Sequence, residues 1–357
     1  MSTESGTQTV STGADPELIG PFLARRLHDE RWRDCTVAHI SGGMSNLTYS
    51  VHCGAGEVIL RRPPLGNLLP TAHDMAREYR VITALQGTAV PVPRTMVATA
   101  AGEPLEFATF VMERVIGHVC RAGFPAGFVT TAAERREVGN AVVDVLAALH
   151  KVDPEAVGLG DFGRPAGFME RQLRRWSKQW DASKFEELPS LDRLRDGLGA
   201  SMPRIEQPHT IVHGDYRLDN TILHPADPSR IVAVLDWELS ALGNPLSDLG
   251  SMLAYWAQAD DDEVLVAGRV IPPITALEGF PTRAEVIERY AARTGFDLSE
   301  MRWYVAFAYF KIAVICQGIA ARAKGGSMVG DGFDEAQGNV APLVEAGLRV
   351  LEGKEPI

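Results

Sequence analysis

His213-Gly214-Asp215-Tyr216-Arg217-Leu218-Asp219-Asn220 is the stretch on which the reading of this chain turns. Downstream lie Asp236-Trp237-Glu238 and then Gly243-Asn244-Pro245-Leu246-Ser247-Asp248-Leu249. Moving a phosphoryl group asks for few protein parts. Hard cations that bridge phosphates take oxygen ligands, typically a carboxylate and an amide carbonyl. A separate carboxylate orients the attacking hydroxyl, and the rest is positioning and neutralisation of charge. Asp215, Asn220 and, beyond a hairpin, Asp236 can supply these parts. In this reading Asp215 orients the hydroxyl, Asn220 and Asp236 hold the metal, and Arg217 reaches the terminal phosphate. His213 orients the loop by hydrogen bonds and Asp248 tethers it. Asp219 reads as a turn residue of the kind that bonds its own backbone.

Upstream of this stretch the pattern is β-rich. Thr36 to Ile40, Leu47 to Cys53 and Val58 to Arg61 are short β-prone runs. The turns between them are Ser41-Gly42-Gly43-Met44-Ser45-Asn46 and Gly54-Ala55-Gly56, which predicts an antiparallel meander. Thr71 to Gln86 reads as a helix, followed by strands at Thr95 to Thr99 and Phe107 to Met112. After Ile116 the composition turns helical. Helices are expected over Ala132 to Val152, Phe168 to Trp180, Leu191 to Ser201, Pro245 to Gln258, Arg283 to Thr294 and Leu298 to Ala323. One hairpin interrupts them, pairing Thr221 to His224 with Ile231 to Leu235 across Ala226-Asp227-Pro228-Ser229.

The Asp215 and Asp236 segments together resemble the catalytic and metal-binding motifs of the aminoglycoside phosphotransferase family. The branch nearest this chain is similar to the kinase-like domains found with acyl-CoA dehydrogenases. The resemblance covers roughly residues 34 to 325. It implies an α+β, two-lobed, protein-kinase-like fold with a small antiparallel β lobe and a larger, mainly α lobe. Residues 1–15 would be a tail, 16–115 the ATP-covering lobe with its leading helix, and 116–357 the helical lobe with catalytic loop and acceptor site. ATP and Mg²⁺ are the implied cofactors. Ser45 and Asn46 fall on the implied phosphate-covering loop, where glycines let backbone N–H groups approach phosphates. Arg61 falls where kinase-like folds carry a lysine, a departure from the family pattern in which arginine also pairs well with phosphate. Glu78 is its implied ion-pair partner, and Arg62 should point to the other face of the strand. Glu113 falls on the implied hinge that holds adenine through the backbone.

The acceptor is the thinnest part of the reading. Arg171, Arg174, Arg175 and Lys178 share one helix face, which is either a solvated surface or a meeting place for an anionic substrate such as a CoA thioester. Asp260-Asp261-Asp262-Glu263 reads as an exposed acidic run. Trp176, Trp180, Tyr255, Trp256, Trp303 and Tyr304 read as core or as acceptor pocket. The favoured acceptor is a hydroxyacyl-CoA-like alcohol. An aminoglycoside or amino sugar is the alternative, and a nucleotide-binding protein with weak or no catalysis is the competing class.

Composition narrows the partners. The chain has 357 residues and a formal net charge of -11. Phosphate backbones repel such a protein, so no nucleic acid is expected. Four scattered cysteines without metal-ligand spacing read as reduced thiols of a cytoplasmic protein. The N-terminus has neither the basic start nor the apolar core of a signal peptide. No window is expected to approach the roughly 20 apolar residues of a membrane span. Oligomeric state is open.

Overall fold

The structure is a computed structural model, and it describes residues 13–40, 46–64, 74–102, 105–324, 333–355 and 357. The chain divides into two compact units. One takes the described residues of Met1–Gln86 with Val92–Val115, the other Gly87–Pro91 with the described residues of Ile116–Ile357.

In the first unit, α1 (Pro16–Leu27) starts where Asp15 accepts a hydrogen bond from the Glu17 N–H and Pro16 fills the first turn. Both devices satisfy or remove donors that a helix start leaves orphaned. Strands β1 (Thr36–His39), β2 (Leu47–Cys53) and β3 (Gly56–Arg62) form the meander. After α2 (Met75–Leu85), strands β4 (Thr95–Thr99) and β5 (Thr109–Glu113) complete a five-stranded antiparallel sheet of order β1-β2-β3-β5-β4. Alternation sorts its side chains. Tyr49, Val51, Val58, Leu60 and Val111 pack with Ile19, Phe22 and Leu23 of α1 in one core. Arg61 and its register partner Phe110 take the opposite face, where Tyr79 of α2 meets the Phe110 ring at 6.1 Å.

The second unit is helical. Its helices are α3 (Ala132–His150), α4 (Phe168–Ser183), α5 (Pro189–Ala200), α6 (Leu246–Tyr255), α7 (Glu263–Ala267), α8 (Arg283–Thr294), α9 (Met301–Lys324), α10 (Phe333–Gly338) and α11 (Val340–Leu351). Capping boxes at Thr131/Glu134 and Thr282/Glu285 fix the starts of α3 and α8. Between α5 and α6 run β6 (Thr210–Val212), β7 (Thr221–His224), β8 (Asp227–Val234) and β9 (Ala241–Gly243). β6 pairs with β9, and β7 with β8. The β7–β8 turn is tighter than the sequence predicts: His224 already pairs with Asp227, so Asp227-Pro228-Ser229 belong to the strand. The three-residue strands β6 and β9 escape sequence reading altogether, because so short a run carries no period.

α9 departs from expectation in one respect. It is long and apolar enough to cross a membrane, which sequence reading did not anticipate. Yet 78% of its apolar window is buried inside the protein. It packs against α4, α5, α6 and α11, and an all-round apolar helix is what such a central position requires. The acidic run also differs from expectation. The Asp261 side chain is only 2% exposed and pairs with Arg269 at 3.0 Å and Arg283 at 2.7 Å. Asp262 caps α7 and contacts Arg349. Arginines distant in sequence pull part of that run inward. Trp176, Trp180, Trp256, Trp303 and Tyr304 are core residues, and all four cysteines are buried.

Candidate active site

The loop after β6 is held from beneath by one carboxylate. Asp248, on the first turn of α6, is 1% exposed. Its Oδ2 accepts the His213 backbone N–H at 2.6 Å, and its Oδ1 accepts the Gly214 N–H at 2.8 Å. His150 lies 3.2 Å from the same Oδ2, with its other ring nitrogen 2.6 Å from the Tyr290 hydroxyl. Burial works to raise the Asp248 carboxyl; the His150 hydrogen bond and charge, with His213, outweigh it and hold the group below the usual value. Gly214 sits at φ 87, and a Cβ there would stand 2.6 Å from the Leu239 carbonyl oxygen. Only glycine fits. His213 Nε2 faces the Leu235 carbonyl at 2.8 Å, while its Nδ1 accepts the Asp215 N–H at 3.2 Å. Those two partners assign the proton to Nε2.

On this scaffold Asp215, Asn220 and Asp236, the residues expected to react or hold metal, come together. Asn220 Nδ2 donates to the Asp215 carbonyl at 2.8 Å and to its Oδ2 at 3.1 Å. The amide oxygen of Asn220 is thereby left to point elsewhere. The Leu235 N–H donates to the Asn220 carbonyl at 2.8 Å, which brings the neighbouring Asp236 to the same place. Asp236 has φ 67, and only it and His28 among the described non-glycine residues have positive φ. Such strain costs of order 1 kcal/mol or more and collects at functional positions. Among the described residues no group of three or more His, Cys, Asp or Glu side chains could hold a metal. Asn220 and Asp236 offer one amide oxygen and one carboxylate. That set suits a magnesium ion carried in on phosphate oxygens and water, which needs only one or two protein ligands.

Arg217 meets partners within its own loop and on α6. Its Nη1 is 2.9 Å from Asp219 Oδ2, its Nε is 3.4 Å from Asp215 Oδ2, and its guanidinium lies over the Tyr255 ring at 5.1 Å. The cation is engaged by two carboxylates of its own loop. Asp219 is no surface turn residue. Its side chain is 16% exposed, burial raises its carboxyl, and its Oδ1 has no hydrogen-bond partner. Arg217 and Asp219 line a small pocket together with Arg121, Tyr255, Trp256 and Ile274.

One participant escapes sequence reading. Lys311 of α9 donates to the Gly214 carbonyl at 2.6 Å. Its only signal is being a lone cation inside the apolar run Val305 to Ile319.

The residues expected to meet the nucleotide lie in the first unit. Arg61 Nη1 is 2.6 Å from Glu78 Oε1, with side-chain exposures of 9% and 0%. Asn46 is buried and its Nδ2 lies 3.4 Å from Glu78 Oε2. Arg62 takes the other face, its guanidinium 3.5 Å from the centre of the Phe107 ring. Glu113, at the end of β5, accepts the Arg94 N–H at 2.8 Å. Ser45 lies outside the described residues.

Comparison with known proteins agrees with the kinase-like fold. A profile of the phosphotransferase enzyme family matches residues 36–304. Acyl-CoA dehydrogenase family member 11 of Rattus norvegicus is 35% identical over 318 residues, 88% of this chain and 40% of that protein. Acyl-CoA dehydrogenase family member 10 of Mus musculus is 34% identical over 79% of this chain and 26% of its own length. The chain thus spans two fifths or less of these curated relatives. Among solved structures, a chain from Ralstonia eutropha provisionally assigned as an aminoglycoside phosphotransferase is 32% identical, with TM-score 0.79 over 95% of this chain and 98% of its own. A ternary complex of the aminoglycoside phosphotransferase APH(4)-Ia with ADP and hygromycin B has TM-score 0.60 at 15% identity, over 95% of this chain and 99% of that one; it shares the α+β kinase-like fold. With the profile covering most of its length and the Asp215–Asn220–Asp236 arrangement in place, the chain belongs to the phosphotransferase enzyme family.

Proposed function

We propose that this protein transfers the γ-phosphoryl group of ATP to a hydroxyl of a small molecule, with a hydroxyacyl-CoA-like alcohol as acceptor. The observation that carries the reading is the convergence of Asp215, Asn220 and Asp236 through the Asn220 amide and the Leu235 N–H. In the reaction the acceptor oxygen forms a bond to the γ-phosphorus, the bond to the β,γ-bridging oxygen breaks, and ADP leaves. Asp215 orients the attacking hydroxyl and takes its proton. Magnesium, when bound, neutralises the phosphate oxygens; Asn220 and Asp236 would hold it.

The first unit supplies the nucleotide side of the reading. Arg61, steadied by Glu78, meets the phosphates, and Ser45 and Asn46 add donors from the covering loop. Glu113 marks the backbone that meets adenine. Nucleotide use is supported by the fold-sharing APH(4)-Ia complexes, which hold ADP or AMP-PNP. The acyl-CoA acceptor draws support from the acyl-CoA dehydrogenase names of the relatives and from the exposed Arg174, Arg175 and Lys178 of α4.

The test is transfer from ATP to a panel of hydroxyacyl-CoAs, aminoglycosides and amino alcohols, read by mass spectrometry. Asp215→Asn should lower kcat by about 10³-fold, within the range for a lost general base, while ADP affinity changes little. Full activity in that variant sinks the assignment. Tight ADP binding by the wild type without transfer to any acceptor would favour a nucleotide-binding protein without catalysis.

A further inference from the structure

The interior of α9, from Trp303 to Ala321, carries one charged side chain. Lys311 sits between Phe310 and Ile312, which are 0% and 3% exposed, and is itself half-buried. An ammonium has three N–H donors. One goes to the carbonyl of Gly214, the residue directly before Asp215. The charged groups around Lys311 are Asp215 and Arg217 from the loop, Asp248 from α6 and Arg175 from α4. Burial pushes the ammonium below the ordinary lysine value, the two carboxylates oppose that push, and the two guanidinium groups add to it.

α4 extends this cationic environment. The Trp176 ring centre lies 5.9 Å from Lys311 Nζ and 5.4 Å from Arg175 Cζ. The Trp176 indole N–H is buried and has no acceptor. Arg174, Arg175 and Lys178 are exposed. Unspent donors and positive charge therefore run from beside Asp215 onto the α4 surface.

We infer that Lys311 reads the acceptor: it binds a carbonyl or carboxylate oxygen a few bonds from the hydroxyl that Asp215 orients, and its charge turns away polycationic acceptors. The inference rests on the phosphotransfer reading above and names which chemistry that site selects. A plain alcohol leaves the donors unsatisfied, and sites built to hydrogen-bond a group discriminate strongly against analogues lacking it. An amino sugar would bring like charges against Lys311, Arg175 and Arg217. Asp215 and Asp219 would attract it, but Arg217 already engages both. A thioester and a free hydroxy acid share the required oxygen.

The test uses the full chain with hydroxybutyryl-CoA, free hydroxybutyrate, the matching diol and kanamycin. Affinities are measured by titration calorimetry with ADP present, and transfer from ATP by mass spectrometry. Lys311→Met keeps the length of the side chain and removes its charge; Lys311→Arg keeps the charge. The expected result is about a tenfold loss of hydroxybutyryl-CoA or hydroxybutyrate affinity in Lys311→Met, with diol affinity unchanged and most of the loss restored in Lys311→Arg. Whichever of the two carbonyl-bearing probes binds more tightly identifies the source of the oxygen. Kanamycin binding gained by Lys311→Met supports the exclusion of cations. Unchanged affinity for both carbonyl-bearing probes overturns the inference, since Lys311 would then only support Gly214. Failure of the wild type to bind either of them also overturns it. Lys311-dependent binding without transfer overturns the phosphotransfer reading and leaves the role of Lys311 standing.

Discussion

Arg61 in the first unit and Arg217 in the second both face carboxylates, and the settings differ in balance. Arg61 meets Glu78 at 2.6 Å, with both side chains almost wholly out of solvent. Arg217 is shared between Asp215 and Asp219 at 3.4 and 2.9 Å, with all three side chains still partly exposed. The first arrangement is a close pair between neighbouring elements. The second carries one cation for two carboxylates. A balanced buried pair serves to hold a side chain still; a partly exposed cluster with two carboxylates for one cation is ready to rearrange around a ligand.

Breaking the balanced pair should have the larger effect on folding. Glu78→Ala leaves the Arg61 charge buried without its carboxylate, and a loss of about 3 kcal/mol in unfolding free energy is expected by denaturant titration. A loss below about 1 kcal/mol would mean that Arg61 swings out to water and that the pair is not structural.

Asp248 lies between the extremes, a single carboxylate serving two backbone N–H groups and His150. Asp248→Asn should cost about 2 kcal/mol near neutral pH, the scale of hydrogen bonds to a charged group. The sign of its pH dependence follows from its lowered carboxyl. Stability from Asp248 is complete above the ordinary value of 3.8 and is lost as pH falls through its own lower value in the fold. Melting temperatures measured from neutral pH down to about 3 should therefore converge between wild type and Asp248→Asn at the acid end. Parallel curves would remove Asp248 from the acid response.

The smallest effect should come from the unbalanced cluster. Asp219→Asn hands Arg217 to Asp215 alone, so kcat should fall by less than about tenfold, with little change in melting temperature. A loss as large as that of Asp215→Asn would promote Asp219 to a reacting group.

These contrasts mark what can be read from sequence. Asp215, Asn220 and Asp236 are legible because metal and hydroxyl chemistry demands those residue types at a short spacing. Arg61 and Glu78 are legible because strand alternation and the following helix place them by local rules. Lys311 is not, since its contact with Gly214 spans 97 positions and arises only when α9 packs under the loop. Asp261 misleads for a related reason, since Arg283 reaches it from 22 positions away; Asp219 misleads because its burial, not its partner Arg217 two positions away, is set by the surrounding fold. The β6–β9 pairing is equally silent, because each strand has three residues and its partner lies across the whole catalytic loop.

The backbone of Asp236 has a consequence for descent. At φ 67 this position is one where glycine folds with less strain than any side chain. Asp215 bears no such penalty. Backbone strain alone thus pushes position 236 toward glycine, and the contacts and chemistry of its carboxylate push back. Among relatives of this chain, drift therefore has a preferred direction here, and glycine at this position would mark the loss of whatever the carboxylate does.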